Sequence, residues 1–249
     1  MSALPSVLWA AYFFISSAVF VCMAALIMVT TAWFDKNRRL VHQFACLWGY
    51  HYLLTNPGWR CTWEGRELID PKKTYVFVVN HQSYWDILVV YGLFREFKWV
   101  AKEEIFKMPF VGWNMMLNQY VTISRGNLSS IKEMMKTCKN WLKRGASIMM
   151  FPEGTRSEDG EIHPFRDGAF KMAADCNVEV VPIVIDGTLS IGRKYGKRIK
   201  FVQPIHVKIL PPVDPARFNG VSTKTCDHVH GLMVDALAEM RGEESAVLI

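Results

Sequence analysis

Asn80-His81-Gln82-Ser83-Tyr84-Trp85-Asp86 sets an imidazole and a carboxylate five residues apart. That is too far for facing side chains on one regular helix, but a turn leading from a strand into a helix brings such a pair together. A carboxylate beside an imidazole fixes its tautomer, orients the other ring nitrogen and stabilises the imidazolium formed when the ring takes a proton. A hydroxyl that attacks a thioester needs such a base. The same spacing also fits a capping Asp and a half-buried His, so the pair alone does not decide between the two. Phe151-Pro152-Glu153-Gly154-Thr155-Arg156-Ser157 adds a second group. There Gly154 permits a sharp turn, Glu153 can accept from hydroxyls, and Arg156 presents a planar fork matched to phosphate oxygens. Arg125 is a second fork. Two guanidiniums near one site imply an anionic substrate group, although Arg156 taken alone fits a surface salt bridge equally well.

These residues follow β-rich runs. Strands are expected at Thr74 to Val79, Lys98 to Ala101, Tyr120 to Ile123, Ser147 to Phe151, Val178 to Ile185 and Ile205 to Leu210. Asn80-His81 follows the first run, Ser124-Arg125-Gly126 the third and Pro152 to Arg156 the fourth. Loops at the carboxyl ends of α/β strands converge, so one shared site is expected. Within residues 129–143, Ile131, Met134, Met135, Cys138, Trp141 and Leu142 share one helical face, with Lys132, Lys136, Lys139 and Lys143 on the other. The lysines read as a solvated face over a packed one, and Ser130-x-x-Glu133 reads as a capping box. The alternation predicts an α/β domain, a mixed central sheet flanked by helices.

Of 249 residues, 51% are hydrophobic and 21% charged, and a mean hydropathy of +0.09 points to a local apolar block. It runs from Ser6 to Phe34 without a charge, long enough as a helix to cross about 30 Å of hydrocarbon. The leader Met1 to Pro5 has no basic residue and the block exceeds a signal-peptide core, so a retained membrane anchor is expected. Asp35-Lys36-Asn37-Arg38-Arg39 then places the body on the cytoplasmic face, of a bacterial inner membrane or the endoplasmic reticulum. Residues 40–54 suit an interfacial or second membrane helix, or an ordinary buried one. Asn56-Pro57-Gly58 marks the boundary between an anchor, 1–58, and a single domain, 59–249. The 29 Lys and Arg against 23 acids, with the basic run Arg193-Lys194, Lys197-Arg198 and Lys200, call for an anionic lipid surface or a phosphorylated substrate. No binding motif accompanies the charge to suggest nucleic acid. Six scattered cysteines lack metal-ligand spacing and fit reduced thiols.

Taken in order, these segments resemble the glycerolipid acyltransferases of the PlsC type, in particular the 1-acyl-sn-glycerol-3-phosphate acyltransferases. Asn80-His81-x-Ser83-x-x-Asp86 is similar to their first motif and Ile123-Ser124-Arg125-Gly126-Asn127 to their second. Phe151 to Ser157 is similar to the third and Val181-Pro182-Ile183 to the fourth. Val100 to Glu104, Met108 to Trp113 and Phe165 to Lys171 resemble the family's connecting segments. The resemblance implies His81 as general base on a glycerol hydroxyl and Asp86 as its orienting partner. It implies that Arg125, Glu153, Gly154 and Arg156, with Thr155 in the same turn, hold the glycerol-phosphate part of the acceptor, and that Lys102 contacts phosphate. It implies lysophosphatidic acid as acceptor, an acyl-CoA or acyl-carrier-protein thioester as donor, and no metal or prosthetic group.

Direct transfer is expected rather than a covalent acyl-enzyme, because no G-x-S-x-G elbow is present. Alternatives are another lysophospholipid, a lyso-aminolipid or glycerol 3-phosphate as acceptor. A further alternative is a non-catalytic, basic, membrane-bound lipid-binding protein.

Overall fold

Tyr75–Val79 is buried along its whole length, as a strand covered by helices on both faces must be. In the computed structural model it sits near the middle of a seven-stranded sheet. The structure describes residues 4–124, 126–192 and 199–242, so the expected phosphate fork Arg125 and the basic residues 193–198 lie outside the described residues. The chain begins with helices α1 (Leu4–Thr31) and α2 (Arg39–Leu54), then strand β1 (Cys61–Glu64), β2 (Tyr75–Val79), α3 (Trp85–Tyr91) and β3 (Phe97–Lys102). There follow α4 (Glu103–Phe106), α5 (Val111–Leu117), β4 (Val121–Ile123), α6 (Leu128–Lys143) and β5 (Ser147–Met150). The chain closes with α7 (Gly168–Cys176), β6 (Glu179–Asp186), α8 (Thr188–Ile191), β7 (Ile205–Ile209) and α9 (Ser222–Arg241).

The strand order is β1-β7-β6-β2-β5-β3-β4. All neighbours pair in parallel except β6 with β7, which makes the sheet mixed. The six expected strands are present. The seventh, β1, was not anticipated, since four residues alternating half-buried and exposed at a sheet edge leave little pattern. Side chains alternate across the sheet. Phe77, Val79, Met149 and Val181 pack with α2 and α3 on one face, while Val76, Val78, Ile148 and Val180 pack with α6, α7 and α9 on the other. Each such side chain contributes about 2 kcal/mol by leaving water. Residues 39–54 therefore form a helix docked on the sheet layer, and Gly49 permits its close approach to α3. A Cβ there would meet the Tyr91 ring at 2.3 Å.

The start of α6 differs from the capping-box expectation. Asn127 caps it, its side-chain oxygen accepting from the amides of Ser129 and Ser130. Ser130 lies inside the first turn, where its hydroxyl accepts from the Ser124 amide at 2.8 Å. An Asx cap three residues upstream satisfies the free amides first.

α1 is long and apolar enough to cross a membrane. One side of it packs on α2, where Ser16 and Ser17 share the Tyr52 hydroxyl at 2.9 Å each. The other side leaves Val7, Ile15, Val19, Leu26 and Val29 exposed. Both of its ends touch the α/β body. Near the start, Trp9 packs edge-on against Trp59 and Trp85, and Ser6 Oγ accepts from the Ile199 amide. Past the end, the buried Lys98 ammonium donates to the carbonyls of Asn37 at 2.7 Å and Asn118 at 2.8 Å. Asn37 also exchanges hydrogen bonds with Arg144.

Candidate active site

β2 lies between β5 and β6 in the sheet, and the loop after it is held from both sides. From β6, the Ile185 main chain exchanges two hydrogen bonds with the Asn80 amide group, at 2.8 and 2.9 Å. From β5 comes Phe151, whose ring stacks on the His81 imidazole at 3.8 Å between centroids. Trp99 of β3 stacks behind Phe151 at 5.3 Å. Three adjacent strands thus build one ring stack that sets the plane of the imidazole.

The chain turns at Ser83-Tyr84 and enters α3, which brings Asp86 back beneath His81. Asp86 is fully buried. Its Oδ2 accepts from His81 Nδ1 at 2.8 Å and from the amides of Gln82 and Ser83 at 2.7 and 2.8 Å. Its Oδ1 accepts from the Thr188 hydroxyl at 2.5 Å. Four donors around one carboxylate fix its orientation. With Nδ1 donating to Asp86, the lone pair sits on Nε2, and the His81 ring lines a cavity of about 1260 Å³. Asp86 does not cap α3, whose N-cap is Tyr84 without a side-chain bond; the amides it accepts belong to the turn before the helix.

Ser83 is buried and its hydroxyl donates to the Gly192 carbonyl at 2.8 Å, which turns it from the imidazole. Ser83→Ala should therefore cost about 1 kcal/mol of stability and leave acyl transfer largely intact. Rapid-quench trapping of an acyl group on Ser83 would sink this expectation.

Glu153 was expected to hold substrate, but it is nearly buried and outside the cavity lining. Its carboxylate accepts from the His81 amide at 2.8 Å and the His163 amide at 3.1 Å. The His81 carbonyl in turn accepts from the Ser157 amide at 2.7 Å. Glu153 thus ties the base to the turn at Gly154, whose φ of +76° suits glycine. Burial pushes the Glu153 carboxyl up to about 7, against the pull of the two amides. A carboxyl whose folded pKa exceeds its unfolded value favours folding in acid and loses that contribution as pH rises from about 4.5 to about 7. The melting-temperature advantage of wild type over Glu153→Gln, which cannot titrate, should shrink across that window. An unchanged difference from pH 4.5 to 8 would contradict it.

Gly154, Thr155, Arg156 and Lys102 all line the cavity with His81, and Arg156 lies over the Tyr84 ring at 3.8 Å. Two residues were missed by sequence reasoning. Arg166 lines the same cavity and reaches the Gly154 turn, where a Cβ on residue 154 would meet its Nε at 3.0 Å; its place in the Phe165 to Lys171 segment was the available signal. Thr188 lies 102 residues from Asp86, and no local pattern marks it. The cavity's polar lining is therefore cationic at Lys102, Arg156 and Arg166, opposed by Glu104 and Asp167. Its remaining lining is largely apolar and buried, with Tyr91, Trp99, Met115 and Met134, and extends to Phe13, Trp48 and Tyr52 of α1 and α2.

The sequence model of the family described as Acyltransferase matches residues 60–186. The chain is 40% identical over 205 residues to a 1-acyl-sn-glycerol-3-phosphate acyltransferase of Chlamydomonas reinhardtii, covering 80% of this chain and 61% of that protein. It is 41% identical over 157 residues to the chloroplastic protein of that name in Arabidopsis thaliana, covering 62% and 44%. It is 32% identical over 151 residues to the one in Pseudomonas aeruginosa, covering 60% and 58%. The matches thus span about half the length of these curated relatives. The fold matches the crystal structure of the 1-acyl-sn-glycerophosphate acyltransferase from Thermotoga maritima with a TM-score of 0.78 at 24% identity, covering 98% of this chain and 100% of that one.

Proposed function

This chain belongs to the acyltransferase family, and on that premise we propose that it moves an acyl group from a thioester to the sn-2 hydroxyl of 1-acyl-sn-glycerol 3-phosphate, giving phosphatidic acid. The observation that carries this reading is the His81–Asp86 pair on a cavity that joins three cations to a long apolar wall. His81 Nε2 takes the hydroxyl proton as that oxygen attacks the thioester carbonyl. The tetrahedral oxyanion collapses, the C–S bond breaks, and the imidazolium returns the proton to the departing thiolate. Arg156, Arg166 and Lys102 hold the acceptor phosphate, and the apolar wall takes acyl chains; Arg125 keeps the phosphate-binding role that the family resemblance implies. Acyl-CoA or acyl-carrier protein serves as donor, and the scheme calls for no metal or prosthetic group. Purified protein should acylate lysophosphatidate from defined donors well above lysophosphatidylcholine, a lyso-aminolipid or glycerol 3-phosphate; preference for any of those three would displace this acceptor.

The anchor, residues 1–58, serves the same reaction. A helix of 28 residues is about 42 Å long. Were it to cross the bilayer upright with both ends docked on the α/β body, that polar body would be drawn into hydrocarbon. α1 therefore lies along the membrane with its exposed side in one leaflet, and its basic flank at Lys36, Arg38 and Arg39 suits the anionic lipids of a cytoplasmic leaflet. Single cysteines placed at Ser2 and Asn37 of reconstituted protein should both react with an impermeant maleimide from the side of the body. Labelling of residue 2 only from the opposite side would show a crossing helix.

A further inference from the structure

Beside the reaction cavity lies a second concavity of about 640 Å³, built by the lysine face of α6. Lys132, Lys136, Lys139 and Lys143 recur at helical spacing and line it in a stripe about 16 Å long, with Lys171 of α7 opposite. The two concavities share Ile131, Met135, Asp167 and Gly168, so the groove opens from the reaction cavity itself. Lys139 is paired with Asp175 and Lys136 stands 4.0 Å from Glu133. Lys132, Lys143 and Lys171 have no ion pair among the described residues, and Asp167 is the one carboxylate in the lining. A solvated lysine face needs neither a concave form nor a junction with the cavity.

We propose that this groove holds the phosphorylated nucleotide end of a coenzyme A thioester while the acyl end lies at His81. The inference rests on the acyl-transfer reading above and deepens it by naming the donor carrier. A CoA thioester is a neutral pantetheine arm ending in a diphosphate and a 3′-phosphate, so its charge is separated from the reacting carbonyl, as the lysine stripe is set along α6 from the shared residues. The volume falls in the range of small-ligand sites, roughly 300–1,000 Å³. A carrier protein would instead need a face of about 800 Å².

The test uses the full chain in lipid nanodiscs, with Lys132→Ala, Lys136→Ala, Lys143→Ala and Lys171→Ala combined and the fold checked by thermal melting. KM for an acyl-CoA should rise roughly tenfold to a hundredfold with kcat little changed, and the effect should fade in high salt. KM for the matching acyl-pantetheine, which has no phosphate, should not move. Calorimetric binding of free CoA should weaken in the variant, and wild type should bind CoA more tightly than 3′-dephospho-CoA. Equal changes for both thioesters, or CoA binding that does not distinguish variant from wild type, would overturn the assignment. A defect confined to acyl-carrier-protein donor would replace CoA by a protein carrier, and a defect confined to binding anionic vesicles would replace it by a lipid surface. If wild type transfers no acyl group from any thioester yet binds CoA through these lysines, the acyl-transfer reading fails and the groove stands.

Discussion

His81→Ala reduces thioester-dependent acylation of lysophosphatidate by roughly 10²- to 10⁴-fold, the usual contribution of a positioned general base. The loss should appear in kcat rather than in KM for either substrate, because in the proposed reaction the imidazole meets the reacting hydroxyl and the phosphate is left to Lys102, Arg156 and Arg166. The substitution is expected to fold. The two main-chain bonds of residue 81, to Glu153 and from Ser157, do not depend on its side chain, and the ring is partly exposed on a cavity. A melting temperature within a few degrees of wild type is the control. Full activity in a folded His81→Ala protein would remove His81 as the base of the reaction.

Asp86→Asn should cost kcat by about as much, up to roughly 10⁴-fold. The amide matches the carboxylate in shape, but it cannot accept from all four donors and carries no charge to stabilise the imidazolium. Its NH₂ group must face either Thr188 or the three donors His81, Gln82 and Ser83. The ring can then be held in the wrong tautomer, with Nε2 protonated and unable to act as base. Asp86→Ala is a poorer probe, because it strands buried amides and should destabilise by several kcal/mol. Thr188→Val is the finer one. It removes a single donor to Asp86 and should lower kcat and shift the acidic limb of the pH profile while leaving KM unchanged. A Thr188→Val protein with wild-type rate and profile would reduce Thr188 to packing alone.

The central strands were readable because a strand buried on both faces, such as Tyr75–Val79, must be an unbroken apolar run. Those runs also located the loops that meet at the cavity. Features that depend on a distant neighbour were not readable. Glu153 carries the chemistry of a substrate contact, and only burial against His81 and His163 makes it a brace. Thr188 gains its meaning from a hydroxyl aimed across the sheet. Arg166 has no turn or strand end of its own and lines the cavity because the chain folds back over Gly154. For residues 6–34, composition is as suitable for crossing a bilayer as for lying in one, and the in-plane reading proposed above rests on the contacts at both ends.

Those contacts also limit how this chain could have been modified during its history. A simple tether can be lengthened, shortened or exchanged for another apolar helix. In α1, Trp9 is set against Trp85 and Phe13 lines the cavity, and past the helix end Asn37 is clamped by Lys98 and Arg144. One residue inserted between Phe13 and Ser16 would turn the preceding part of the helix by about 100° and lengthen it by about 1.5 Å. Trp9 and Phe13 would rotate off their partners while the helix stayed as greasy as before. The segment that looks most interchangeable by composition is thus held to a fixed length and rotational phase, and a chimera with a foreign anchor would keep its membrane address and lose a wall of its cavity.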